Sequence, residues 1–169
     1  MKLLGKLFLI LFRNIRGGII GSKIRVFSLR CMGCKCAKNA FIGTNITFVR
    51  PDRLTIGNNT SIHEGCYIDA SGTVIIGSNV SIAHGVSIVS FNHSYSDQNT
   101  PIKEQPLIYE PIVIENNVWI GCKVTLLAGT TIKSRTVVAA NAVCNKIYEK
   151  GIIIGGLQEK KLRRFDFIR

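Results

Sequence analysis

No aspartate or glutamate occurs before Asp52, and no apolar run exceeds the six residues from Leu7 to Phe12. Such a run is too short to span a bilayer. No small-residue cleavage site follows it, as a secretory signal would need. Histidine is scarce, with three residues in 169, and there is one tryptophan. The six cysteines do not form the even scaffold of a small disulfide-knotted chain. A composition that is 46% hydrophobic and 19% charged is globular rather than disordered. These properties exclude a membrane-spanning protein, a disulfide knot and a long acidic tail.

What is present is an excess of positive charge at both ends. Residues 1–51 hold ten Lys or Arg, residues 52–144 have a net charge of −2, and residues 145–169 have +4. Nucleic-acid binding would need recognition residues on a defined element. No helix-turn-helix, finger or stacking-platform signature occurs. Basic ends flanking a near-neutral middle suit an anionic lipid or an anionic cofactor better.

A six-residue period organises the chain. Its slots are Cys36, Ile42, Phe48, Ile56, Ile62, Ile68, Ile76, Ile82 and Ile88, then Ile114, Ile120, Leu126, Ile132, Val138 and Cys144. A small or β-branched residue stands four places after most slots, among them Thr60, Cys66, Val80, Val118 and Thr130. Asn or Gly falls between, as in IGNNTS and IENNVW. A period of six is neither helical nor alternating. It predicts a short strand and a tight corner, with three such units closing one triangular coil. Gly and Asn supply the positive φ that sharp corners demand. Fifteen slots predict five coils, about 24 Å long at 4.8 Å per coil. A single coil cannot bury its inner face, so the coils fold together.

Three steps break the period: Phe48 to Ile56, Ile68 to Ile76 and Ile88 to Ile114. All fall at one corner of the triangle. The last adds about twenty residues, a length more often functional than idle. The expected organisation is a basic, apolar segment and cap over 1–35, an all-β parallel helix over 36–147 with its loop at 89–113, and a short basic tail over 148–169. Residues 1–20 read as a helix whose apolar residues cover most of its circumference. It could touch a membrane surface or pack on the prism or a partner.

Of the histidines, His63 and His84 lie in corner segments. His93 stands in SFNHSYSD, where the repeat breaks into the long loop. An imidazole there can accept a proton near neutrality. The bland reading is a loop histidine bonded to a local carboxylate such as Asp97. Cys31, Cys34 and Cys36 form C-x2-C-x-C, a spacing that could hold zinc. Cys36, Cys66 and Cys144 fit buried repeat positions, so reduced, inert thiols are expected.

The serial hexapeptides, the SFNH opening and the block PIVIENNVWIGCKVTLLAGTTI together resemble the left-handed β-helix acyltransferases of the hexapeptide-repeat superfamily. The nearest branch includes the maltose and galactoside O-acetyltransferases and the O-acetyltransferases of bacterial surface polysaccharides. The resemblance spans roughly residues 36–147. It implies left-handed coils, a homotrimer and acetyl-CoA lying in the groove between two prisms, with no metal. It implies His93 as general base, taking the proton of a sugar hydroxyl as the oxygen attacks the thioester, with Asp97 a candidate to orient it. Trp119 and His84 would line the substrate groove. Cys122 and Ala140 would flank the pantetheine arm, and Lys146 and Arg163 would meet the CoA phosphates, with Arg164 or Lys161 as substitutes for Arg163. Gly65 takes the place where sugar acetyltransferases carry an acceptor-binding asparagine.

There are departures from the family pattern. AANAV replaces GAGSV, and GGLQEKK replaces GNPAK near the C-terminus. Transfer to an amino sugar or antibiotic, a nonenzymatic trimeric scaffold and a carbonic-anhydrase-like metal enzyme are the competing readings. A cytoplasmic location is expected, at the inner face of the bacterial membrane if residues 1–20 touch it.

Overall fold

The computed structural model describes residues 2–15 and 18–155. Two helices, α1 (Lys2–Phe12) and α2 (Gly18–Cys31), precede a solenoid of short parallel strands. The solenoid has three walls. The first stacks Lys35–Cys36, Leu54–Ile56, Val74–Ile76, Ile112–Ile114, Thr131–Ile132 and Ile147–Tyr148. The second stacks Phe41–Ile42, Ser61–Ile62, Ser81–Ile82, Trp119–Ile120, Val137–Val138 and Ile153–Ile154. The third stacks Thr47–Val49, Tyr67–Asp69, Ser87–Val89, Thr125–Leu127 and Val143–Cys144.

The parallel register sets slot on slot. Ile42, Ile62, Ile82, Ile120 and Val138 form one inward column, each fully buried. The first and third walls repeat this with Cys36 to Ile132 and Phe48 to Cys144. Stacking like on like buries each side chain against the coils above and below, which is why the coils are stable only together.

The corners are where the sequence carries its Asn and Gly. Asn59, Asn79 and Asn117 have φ of 52°, 57° and 57° between the first and second walls. The Asn59 side-chain amide donates to Asn79 Oδ1 at 2.8 Å, tying the corners of two successive coils together. Gly57 allows a close approach there: a Cβ would lie 2.5 Å from the Gly77 carbonyl carbon. The buried threonines satisfy backbone groups, as Thr60 Oγ1 does by donating to Gly77 O at 2.7 Å.

One expectation needs correction. The solenoid has about six turns rather than five, because Ile147–Tyr148 and Ile153–Ile154 continue the first and second walls beyond Ile147. The step from Cys144 to Tyr148 is four residues rather than six, and an aromatic fills the slot, so the period hides the sixth turn. The expected tail from 148 therefore begins as solenoid; residues 156–169 lie outside the described residues.

Some of the basic charge at the N-terminus serves the first coil. The first coil has an open edge, and unpaired strand edges are a liability. Three arginines cap it. Arg30 donates to Cys36 O at 2.9 Å, Arg25 to Ile42 O at 2.9 Å, and Arg13 to Thr47 Oγ1 at 3.0 Å. Ser22 Oγ accepts the Ile42 N–H at 2.8 Å. Burial holds the Arg25 guanidinium below its ordinary pKa. Part of the basic N-terminus is thus a structural cap. Helix α2 was not legible because Ser22, Arg25 and Ser28 are polar yet buried against the coil.

Candidate active site

The three irregular steps all fall at the corner between the third and first walls. After Val89 the chain leaves that corner as an antiparallel hairpin, Phe91–His93 against Leu107–Tyr109, with His93 opposite Leu107. The base closes where Ser90 O accepts the Glu110 N–H at 3.2 Å. Ser90 itself is pinned, its hydroxyl donating to Asp69 O at 2.7 Å and accepting the Gly72 N–H at 2.8 Å. The loop is therefore a built arm. His93 is exposed on it, carried by backbone pairing rather than by its own side chain.

Asp97 does not orient His93. One of its carboxylate oxygens accepts the Thr100 hydroxyl at 2.6 Å and the other the Asn99 N–H at 2.9 Å. The Thr100 hydroxyl and the Asn99 amide hold its pKa below the usual carboxylate range. Asp97 is a brace for its own turn, because short Asx contacts within three residues satisfy it first. The residue that organises the arm is Gln105, which sequence reading missed. It is buried, donating to Asp97 O at 2.7 Å and Thr100 O at 2.9 Å, and accepting the Asp97 N–H at 3.2 Å. A polar residue in a polar loop gives no sequence signal.

The other expected site residues fall at defined corners. Gly65, His84, Cys122 and Ala140 belong to the corner between the second and third walls. Successive coils are hydrogen-bonded there: Lys123 N–H donates to His84 O at 3.1 Å, and Asn141 N–H to Cys122 O at 2.9 Å. Gly65 has φ of 72°, and a Cβ on Gly121 would lie 2.6 Å from Ala140 N. His63 shares this corner, its ring 5.8 Å from that of Phe41. Trp119 is 55% exposed on the second wall. It lines a groove of about 360 Å³ with Ser81, Asn117, Arg135 and Val137. Lys146 is exposed at the third-to-first corner, its Nζ 5.5 Å from the Tyr148 ring centroid. Arg163 lies outside the described residues.

Trp119 therefore stands apart, its groove lying toward the corner between the first and second walls, while five of the other predicted residues separate onto the two edges of the third wall. His93 and Lys146 lie on one edge of the third wall; His84, Cys122 and Ala140 lie on the other.

Five of the six thiols, all but Cys122, are buried packing residues. Burial pushes Cys66 up to about 11 and raises Cys144. The neighbouring Cys36 thiol and burial raise Cys34, whose Sγ donates to Leu54 O at 3.3 Å, and the Cys34 thiol in turn lowers Cys36. Among the described residues no three His, Cys, Asp or Glu side chains converge as a metal site requires.

A three-walled hexapeptide solenoid with a long arm at one corner defines a class. Residues 111–146 match the family described as bacterial transferase hexapeptide (six repeats). The repeat matched there is the hexapeptide of bacterial transferases, and the chain is similar to acetyltransferases built on it. It is 28% identical over 130 residues to the galactoside O-acetyltransferase of Escherichia coli K12, covering 76% of this chain and 63% of that one. It is 26% identical over 132 residues to an E. coli K12 protein named for colanic acid biosynthesis, the acetyltransferase WcaF, covering 78% and 70%. A solved structure of galactoside acetyltransferase in complex with coenzyme A superposes with a TM-score of 0.78 at 26% identity, covering 90% and 74%. The chain spans 29% of the length of a matching Mycobacterium tuberculosis acetyltransferase.

Proposed function

We propose that this protein transfers the acetyl group of acetyl-CoA to a sugar hydroxyl of a bacterial surface glycan or its precursor, in a cleft shared by two copies of a homotrimer. The observation that carries the reading is the placement of His93 and Lys146 on one edge of the third wall and of His84, Cys122 and Ala140 on the other. A side of six residues is at most roughly 20 Å wide. Threefold packing that sets one edge of a prism against the other edge of the next joins the two groups without distorting either. The relatives supply the chemistry: one is a galactoside O-acetyltransferase, and a superposing structure holds coenzyme A. The WcaF similarity favours a surface glycan as acceptor.

In this mechanism His93 Nε2 takes the acceptor hydroxyl proton as the oxygen attacks the thioester carbonyl. The tetrahedral intermediate collapses with loss of the CoA thiolate, which takes that proton back from the imidazolium. Holding both substrates in one cleft replaces a chance encounter with an aligned one. Backbone N–H groups facing the cleft stabilise the oxyanion. The corner carbonyls and amides of Cys122 and Ala140 flank the pantetheine, and Lys146 meets a CoA phosphate. Arg163 is proposed for the same task from its place in sequence.

Thiol release from acetyl-CoA tests the reading. We expect release to depend on a glycan acceptor and to yield an acetyl ester that mild base removes. Release that occurs only with amino sugars, giving a base-stable amide, would replace the acceptor class. No release with any glycan would reject the transfer itself.

A further inference from the structure

Helix α1 carries its apolar residues on the wrong side for a packing helix. Gly5 and Leu9, one turn apart, face inward: a Cβ on Gly5 would lie 2.7 Å from Cys31 Cβ, and Leu9 packs against the core. The opposite face is formed by Leu3, Leu4, Leu7, Ile10 and Leu11, all exposed, with Leu3 at 81%. Ile19 and Ile20, at the start of α2, are 71% and 73% exposed. Lys6 and Lys23 stand exposed on the same two helices. Surface patches of contiguous aliphatic side chains mark interaction sites.

We propose that the α1–α2 hairpin docks this protein on an anionic lipid bilayer, with the outer face of α1 lying in the headgroup region. Charge decides between occupants. Ten basic residues and no acidic one occur in the first 51. Arg13, Arg25 and Arg30 are committed to the first coil, but Lys6 and Lys23 are not part of that cap. A second copy laid on this face would set lysine against lysine with no carboxylate of the same segment to pair them. Anionic headgroups supply the missing charge. Eleven residues of helix span about 16 Å, too short to cross the hydrocarbon core, so the helix lies along the surface. Among the described residues no helix is long and apolar enough to cross a membrane. The hairpin is anchored to the prism at the capped end of the first coil, so docking holds the whole solenoid at a fixed height. This inference stands apart from the transfer reaction.

Flotation of the full chain with vesicles tests it, using phosphatidylcholine alone and with phosphatidylglycerol. The protein is expected to float with the anionic vesicles and to do so less at high salt. Leu7→Glu with Leu11→Glu should lower partitioning about tenfold or more, leaving circular dichroism and thiol release with a soluble acceptor as in wild type. Lys6→Glu with Lys23→Glu should weaken binding to anionic vesicles and flatten its salt dependence. Wild-type protein that stays with the bottom fraction, or leucine variants that float as wild type does, would overturn the proposal. A change of oligomeric mass in the leucine variants would overturn it too, by showing that a second copy covers this face.

Discussion

Replacing His93 with alanine is expected to lower turnover by about 10²–10⁴-fold, the usual contribution of a positioned general base, with the fold retained. The reason for expecting both is local. His93 is exposed on a hairpin strand whose pairing with Leu107 runs through backbone groups. The arm is braced instead by Ser90 at its base and Gln105 within it. Loss of the imidazole therefore leaves the arm standing and removes the proton acceptor. The KM for acetyl-CoA should change little, because the proposed pantetheine contacts lie on the other edge of the wall and Lys146, on the same edge, follows a strand two coils away. Steady-state kinetics beside a thermal melt checks this. Near-wild-type turnover would remove His93 from the mechanism.

The largest expected loss of stability comes from Ile82→Ala. Ile82 is fully buried at the middle of its column, paired in register with Ile62 below and Ile120 above. Truncating a buried isoleucine to alanine costs about 2–5 kcal/mol, and here both neighbours lose packing. For a chain of this size that corresponds to about 2–4 °C of Tm per kcal/mol. Ile153 also lies on the second wall but is 79% exposed. Its truncation should fall within about 0.5 kcal/mol. Thermal unfolding of the two variants compares the inward column with the outer surface. Equal Tm values would contradict the stacking of slots.

The inward columns were legible because a fixed period and a fixed chemistry coincide. All fifteen slots occupy the predicted walls, and the three long steps share one corner. The elements that escaped were those whose chemistry serves a neighbour rather than the period. Tyr148 fills a slot after a shortened corner, so the sixth turn does not repeat the spacing. Ser22 and Arg25 read as surface residues, yet they satisfy the open backbone groups of Ile42. Phe91–His93 and Leu107–Tyr109 pair across a separation too long for a turn signal.

The candidate site was legible to a lesser degree. His93 stood out by its place at the break in the repeat. Asp97 was the obvious carboxylate beside it, but its oxygens are taken by Asn99 and Thr100. Gln105 gave no sign because its role comes from burial, which a loop sequence does not encode. The partition of the other residues between two edges follows from the triangular cross-section. No spacing between them expresses it.

The most direct test of a cleft shared between copies is complementation in mixed trimers. One chain would carry His93→Ala, which empties the arm, and the other Ala140→Trp, which fills the opposite corner. Each alone should be inactive. Coexpressed chains that assemble at random should regain about a quarter of wild-type turnover, since one contact in four then joins an intact arm to an intact corner. A mixed assembly of confirmed composition that stays inactive would contradict the shared cleft and place both groups' work within a single chain.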